Sequence, residues 1–155
     1  METLVKELQE SRVNLDLLIT KVKTLQPSRG TALSITALEK GRMYIGELAL
    51  MYGADNKYDH SKVKEAKDIP EATDKHKNQI ETKPKDDITS ILSIRGEIEL
   101  ELNIINKLIG GVSQEQSPFN KFKRDCYISE AFRSIVEGRM YLGVRLGELR
   151  DNEKK

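Results

Sequence analysis

Tryptophan is absent, and aromatic residues make up only 5% of the 155 residues. The long β-branched and aromatic runs that strands need are scarce, which excludes a sheet-based core. There is one cysteine, Cys126, so no intrachain disulfide can form, a usage that suits a reducing cytoplasm. No run of 18 apolar residues and no signal-peptide core occurs, because Met1-Glu2-Thr3 leads straight into a charged amphipathic pattern. The expectation is a soluble cytoplasmic protein with no membrane partner. The formal net charge is +1, which offers no general attraction for a long nucleic acid but leaves room for a local basic pocket.

What is present is a repeat. Gly41-Arg42-Met43-Tyr44-Ile45-Gly46 returns as Gly138-Arg139-Met140-Tyr141-Leu142-Gly143. An interior helical glycine costs roughly 1 kcal/mol against alanine, so two copies of a costly pattern point to an internal duplication with a shared purpose.

Leu4, Leu8, Leu15, Leu18, Val22 and Leu25 step by three and four, broken at Ser11. This is an amphipathic helix with a coiled-coil-like seam, ended at Gln26-Pro27. Ser28 is a fitting N-cap for a second helix, which carries Leu33, Ala37, Gly41, Tyr44, Leu48 and Met51 on one face. Ala32, Met43 and Leu50 lie on the opposite side, and Gly53 ends the helix. Residues 1–53 therefore read as one αα-hairpin. Residues 54–86 are dense in lysine and acid, contain both histidines and two prolines, and read as a charged linker with at most a short helix over 61–67. Asp86 and Asp87 then offer N-caps for a helix with Ile88, Ile91, Ile98, Leu102, Ile105 and Ile109 in its seam and Arg95 interrupting it. Gly110-Gly111 stops it, and a loop over 112–123 leads to the last helix. That helix carries Ile128, Phe132, Ile135, Leu142, Leu146 and Leu149 on one face and Val136, Met140, Val144 and Gly147 on another. The second hairpin spans 87–155. The expected fold is all-α, two αα-hairpins forming an oligomeric helical bundle, because each second helix has two sticky faces.

No nucleophile motif, cysteine pair or metal-binding histidine spacing is present, so the chain reads as a non-enzyme without metal or cofactor. Glu97, Glu99 and Glu101 read as solubilising charge. Candidate binding residues gather at the starts of the second helices, Ser28-Arg29 and Lys123-Arg124, where free N–H groups and the helix dipole attract phosphate. Arg42 and Arg139 stand at the edge of the apolar face, within reach of a carboxylate or phosphate. Tyr44 and Tyr141 can stack on a base or pack as ordinary core.

The run Pro27-Ser28-Arg29 followed by Ala32 to Gly46 resembles the second helix of the hairpin domain shared by two phage anti-defence sponge families. One sequesters cyclic oligonucleotides of CBASS immunity, the other cyclic ADP-ribose-type signals of Thoeris immunity. The resemblance covers 27–50 and, less closely, 117–150, under half of the chain. It implies a homo-oligomer binding a small cyclic nucleotide between hairpins without cleaving it, in the host cytoplasm if phage-encoded. The implied ligand-binding residues are Ser28, Arg29, Thr36, Arg42, Tyr44, Lys123, Arg124, Arg139 and Tyr141. Six hairpins need three of these chains, so a trimer is expected, with a dimer next. The first helices carry no aromatic residue for base stacking, which moves that task to Tyr44, Tyr141, Phe119 or Phe122. The alternative is a structural or adaptor protein whose hairpins only pair with partner chains.

Overall fold

The structure is a computed structural model that describes residues 2–54, 85–110 and 118–153. Among the described residues there are four helices: α1 (Glu2–Lys23), α2 (Arg29–Met51), α3 (Lys85–Gly110) and α4 (Pro118–Glu153). Among the described residues there is no strand. Of the linker expected over 54–86, residues 55–84, with His60, His76 and the expected helix over 61–67, lie outside the described residues, as does the Gly111 stop, and residues 85–86 belong to α3.

The turn between α1 and α2 and both ends of α2 follow from local chemistry. Leu25 closes the first turn from inside, almost fully buried, while the Leu25 and Thr24 amides bond back to Val22 and Lys21. Ser28 then caps α2 in a reciprocal box. Its hydroxyl accepts the Thr31 N–H at 3.1 Å, and the Thr31 hydroxyl accepts the Ser28 N–H at 2.9 Å. At the far end Gly53 takes a positive φ of 101°, and the amides of Gly53 and Ala54 bond back to Leu50 and Ala49. That pattern is a Schellman stop.

Two helix starts differ from the sequence expectation. Asp86 and Asp87 do not precede α3 but lie inside its first turn, where the Asp87 carboxylate accepts the Gln26 N–H at 3.2 Å and ties α3 to the first turn of the chain. The last helix begins at Pro118, before Lys123, because proline suits a first helical position. Residues 118–123 are therefore helix, not loop.

Each hairpin packs on the other. Polar links pair Asn14 with Glu101, Lys21 with Glu97 and Gln26 with Asp87, so α1 runs antiparallel to α3. Between α2 and α4, Gly30 meets Arg145, Ser34 meets Gly138 and Gly41 meets Ile135, again antiparallel. The result is a four-helix arrangement with α2 against α4 as its most extensive interface. Leu8, Leu15, Leu38, Ile45, Ile91, Ile98, Ile135 and Leu142 form its dry centre.

The repeated glycines explain that closeness. A Cβ on Gly41 would stand 2.6 Å from Ile135 Cγ1, and one on Gly138 would stand 2.8 Å from Leu38 Cγ. Leu38 precedes Gly41 by three residues, as Ile135 precedes Gly138, so the two contacts are the same contact made twice about a local two-fold axis. Only glycine lets both helices approach this far.

Candidate functional site

The local two-fold axis sets up two equivalent regions, one at each end of the α2–α4 interface. In each, the tyrosine of one repeat meets the early part of the other second helix. At one end Tyr44 packs against Tyr127, ring centroids 6.3 Å apart and planes tilted by 38°. The Lys123 ammonium sits over the Tyr127 ring, 5.7 Å from its centroid, in cation–π range. Arg124 bonds to the Tyr52 hydroxyl and to the Asp125 carboxylate. Burial draws the Arg124 pKa down, and those two bonds outweigh it and leave it raised. This end therefore holds three tyrosines and two cations, with one carboxylate.

At the other end the backbone of Tyr141 abuts Gly30, with the Tyr141 carbonyl oxygen 3.1 Å from the place of a Gly30 Cβ. Ser28 and Arg29 lie beside it. The Ser28 hydroxyl is engaged in its cap, whereas Arg29 is exposed and forms no ion pair among the described residues. Arg145 packs its Cβ 3.1 Å from the place of a Gly30 Cβ, and its guanidinium donates to Glu148 of its own helix at 3.1 Å. The two ends are equivalent in backbone but not in chemistry, since Gly30 stands where the other end has Tyr127.

Each expected site residue now has a place. Tyr44, Lys123 and Arg124 come together. Ser28, Arg29 and Tyr141 gather at the opposite end. Lys123 and Arg124 belong to the second turn of α4, not its start, so the free N–H groups of that helix are not beside them. Thr36 is exposed on the outer side of α2, where its hydroxyl donates to the Ala32 carbonyl. Arg42 and Arg139 do reach carboxylates, but in their own hairpins: Arg42 pairs with Asp16, and Arg139 with Glu99 at 3.3 Å. Phe119 and Phe122, offered for stacking, are exposed at 71% and 68% and lie at the tip of α4, outside either cluster.

The glutamates of α3 are not mere solubilising charge. Glu97 bonds to Lys21 at 2.7 Å, Glu99 to Arg139, and Glu101 is 4% exposed against Asn14 and Ser11. Burial pushes the Glu101 carboxyl above its ordinary value, opposed by its contacts with Ser11 and Asn14. The Ser11 hydroxyl and Glu101 Oε1 stand close enough to influence each other but fall short of a formed hydrogen bond. Burial in the α1–α3 seam is the dominant effect. Sequence reading also passed over Tyr127. Its spacing of four from Lys123 puts the two side chains on one helical face, a signal that was available.

Among the described residues no group of three His, Cys, Asp or Glu is placed to hold a metal ion, and no helix is long and apolar enough to cross a membrane. Compared with protein-family models, curated proteins and solved structures, the chain matches none.

Proposed function

We propose that the protein binds and sequesters a cyclic nucleotide signal between its hairpins without cleaving it, as a phage decoy against CBASS- or Thoeris-type immunity. The observation that carries this reading is the grouping of Tyr44, Tyr127 and Lys123 where the two hairpins meet. Aromatic faces beside a cation suit a molecule with bases and phosphates, and each stacked base is worth about 1–3 kcal/mol. The resemblance of residues 27–50 and 117–150 to the sponge hairpin domain supports the same class of ligand. The exposed Arg29, with its two-pronged guanidinium at the start of α2, adds a phosphate grip at the other end. In this reading the chain works as a trimer, or as a dimer, of two-hairpin units.

A second reading has its own support. Met43, Leu50, Val136, Met140 and Val144 are each 42% exposed or more, on the outer sides of α2 and α4. A non-enzymatic adaptor that only pairs helices needs nothing else.

A panel of cyclic di- and trinucleotides and cyclic ADP-ribose-type molecules separates the two. A ligand that binds only the folded state raises Tm, and ligand recovered after heat denaturation should be intact. Tyr127→Ala and Arg29→Ala should each weaken binding by about tenfold or more while leaving the fold in place. An unmoved Tm with every member favours the adaptor, and a cleaved ligand overturns both readings.

A further inference from the structure

The repeat also places two guanidinium groups on each hairpin. In the first, Arg12 lies across α2 at Gly46, its Cζ 2.8 Å from the place of a Cβ, and Arg42 stands one turn away on the same face. In the second, Arg95 lies across α4 at Gly143, its Nη2 3.2 Å from the place of a Cβ, with Arg139 one turn away. Glycine lets each guanidinium rest on the helix backbone.

The two sets differ in how their charge is met. Arg12 donates to Gln9 at 2.9 Å, and Arg42 pairs with Asp16, whose side chain is 4% exposed. That set is closed. In the second set the carboxylate belongs to Glu99, 63% exposed and 3.3 Å from Arg139. A remaining Arg139 bond goes to the Arg95 carbonyl at 3.4 Å. Among the described residues the Arg95 guanidinium meets no acceptor, and its Nε is closed off from water.

We infer that Arg95 and Arg139 form an oxyanion site on the second hairpin that takes a phosphate group, while the equivalent pair on the first hairpin is structural. Two forked donors, Arg95 laid on α4 at Gly143 and Arg139 rooted one turn from that glycine, match the several oxygens of a phosphate, and a half-buried guanidinium without an acceptor gains most from one. Glu99 is solvated enough to swing aside. The inference deepens the proposed function and rests on it for the bearer of the phosphate, a nucleotide phosphodiester; the guanidinium pair itself stands on geometry.

The test uses the full chain in two arms. The first compares Tm in inorganic phosphate and in chloride at matched ionic strength. Phosphate should raise Tm by about 2–4 °C in the parent. Arg95→Met, which keeps a flexible stem over Gly143, should lose that increment, Arg12→Met should keep it, and Glu99→Gln should enlarge it. A parent without a phosphate-specific rise, or an Arg95→Met protein that retains it, overturns the site. The second arm measures cyclic nucleotide affinity by calorimetry, with a loss of about tenfold or more expected for Arg95→Met. Undiminished affinity in that variant overturns the inference and leaves the proposed function standing. An Arg95-dependent phosphate response in a parent that binds no nucleotide does the reverse, upholding the site and removing the proposed function.

Discussion

Glu101 shows how one buried side chain ties stability to pH. Its pKa is raised, first by burial, above an unfolded value of 4.5, so between the two values the folded state holds a proton that the unfolded state has lost. Its contribution to stability is greatest below the unfolded value and declines as pH rises through the folded one. Glu101→Gln keeps an acceptor for Asn14 and removes the charge. It should raise Tm at neutral pH by a few degrees, about 1 kcal/mol, and flatten that limb of the pH profile, as calorimetry across acid to neutral pH will reveal. A lower Tm at neutral pH would mean that the Asn14 bond and the Ser11 contact outweigh burial. The glycines give a prediction whose sign depends on position. Gly41→Ala and Gly138→Ala gain helix propensity but drive a Cβ into Ile135 or Leu38, for a net loss of about 1–2 kcal/mol in urea denaturation. Gly96 faces open space, so Gly96→Ala should instead gain about 0.5–1 kcal/mol.

At the scale of the element, α2 is the helix with the best-defined ends. A capping box opens it and a Schellman stop closes it, so its register against α4 is set from both sides. Ser28→Ala removes the hydroxyl that accepts Thr31 N–H and should cost about 1 kcal/mol, with Ser28→Asp recovering most of it. Equal stability in all three proteins, measured by urea midpoint, would mean that the tertiary contacts of Gly30 hold the start of α2 unaided. The α4 helix is different, since its early turns run past the end of α2 and bring Lys123, Arg124 and Tyr127 over Tyr44 and Tyr52. That overhang has no counterpart at the other end, which is why two equivalent backbones carry unequal chemistry.

At the scale of the molecule, the inner faces of the helices are spent on each other, and the outer faces of α2 and α4 remain, together with Leu92, Leu100 and Ile104 of α3. Met43 and Met140, equivalent in the repeat, are exposed at 50% and 52%. If those faces join copies of the chain, a Met43→Lys, Met140→Lys double variant should stay folded yet sediment as a single chain, while the parent sediments as a dimer or trimer. A parent that stays at 17.6 kDa at micromolar concentration removes the oligomer from the proposed function.

Periodicity alone was enough for the helices and for the choice of Ile45, Leu48, Ile98, Ile135 and Leu142 for the core, because a 3.6-residue repeat of apolar side chains is a local property. Ser28 and Gly53 were equally legible, since capping chemistry acts within a few residues. The two-faced pattern around Met43 and Met140 reads as an oligomer interface, and both side chains are exposed in the single chain. What the linear pattern did not contain was partnership across the bundle. Glu101 looks like its neighbours Glu97 and Glu99 in sequence, and only the approach of α1 buries it. Arg42 and Arg139 read as within reach of a carboxylate or a phosphate, and only the approach of α1 and α3 supplied the carboxylates, Asp16 and Glu99. Arg95 read as a flaw in a seam, yet the glycine opposite makes room for it on α4. The first turn of α4, ahead of Lys123, was hidden because Pro118, which cannot continue a helix, is well suited to begin one. Helix formation is decided by neighbours in the chain; burial and charge pairing are decided by whichever helix arrives alongside.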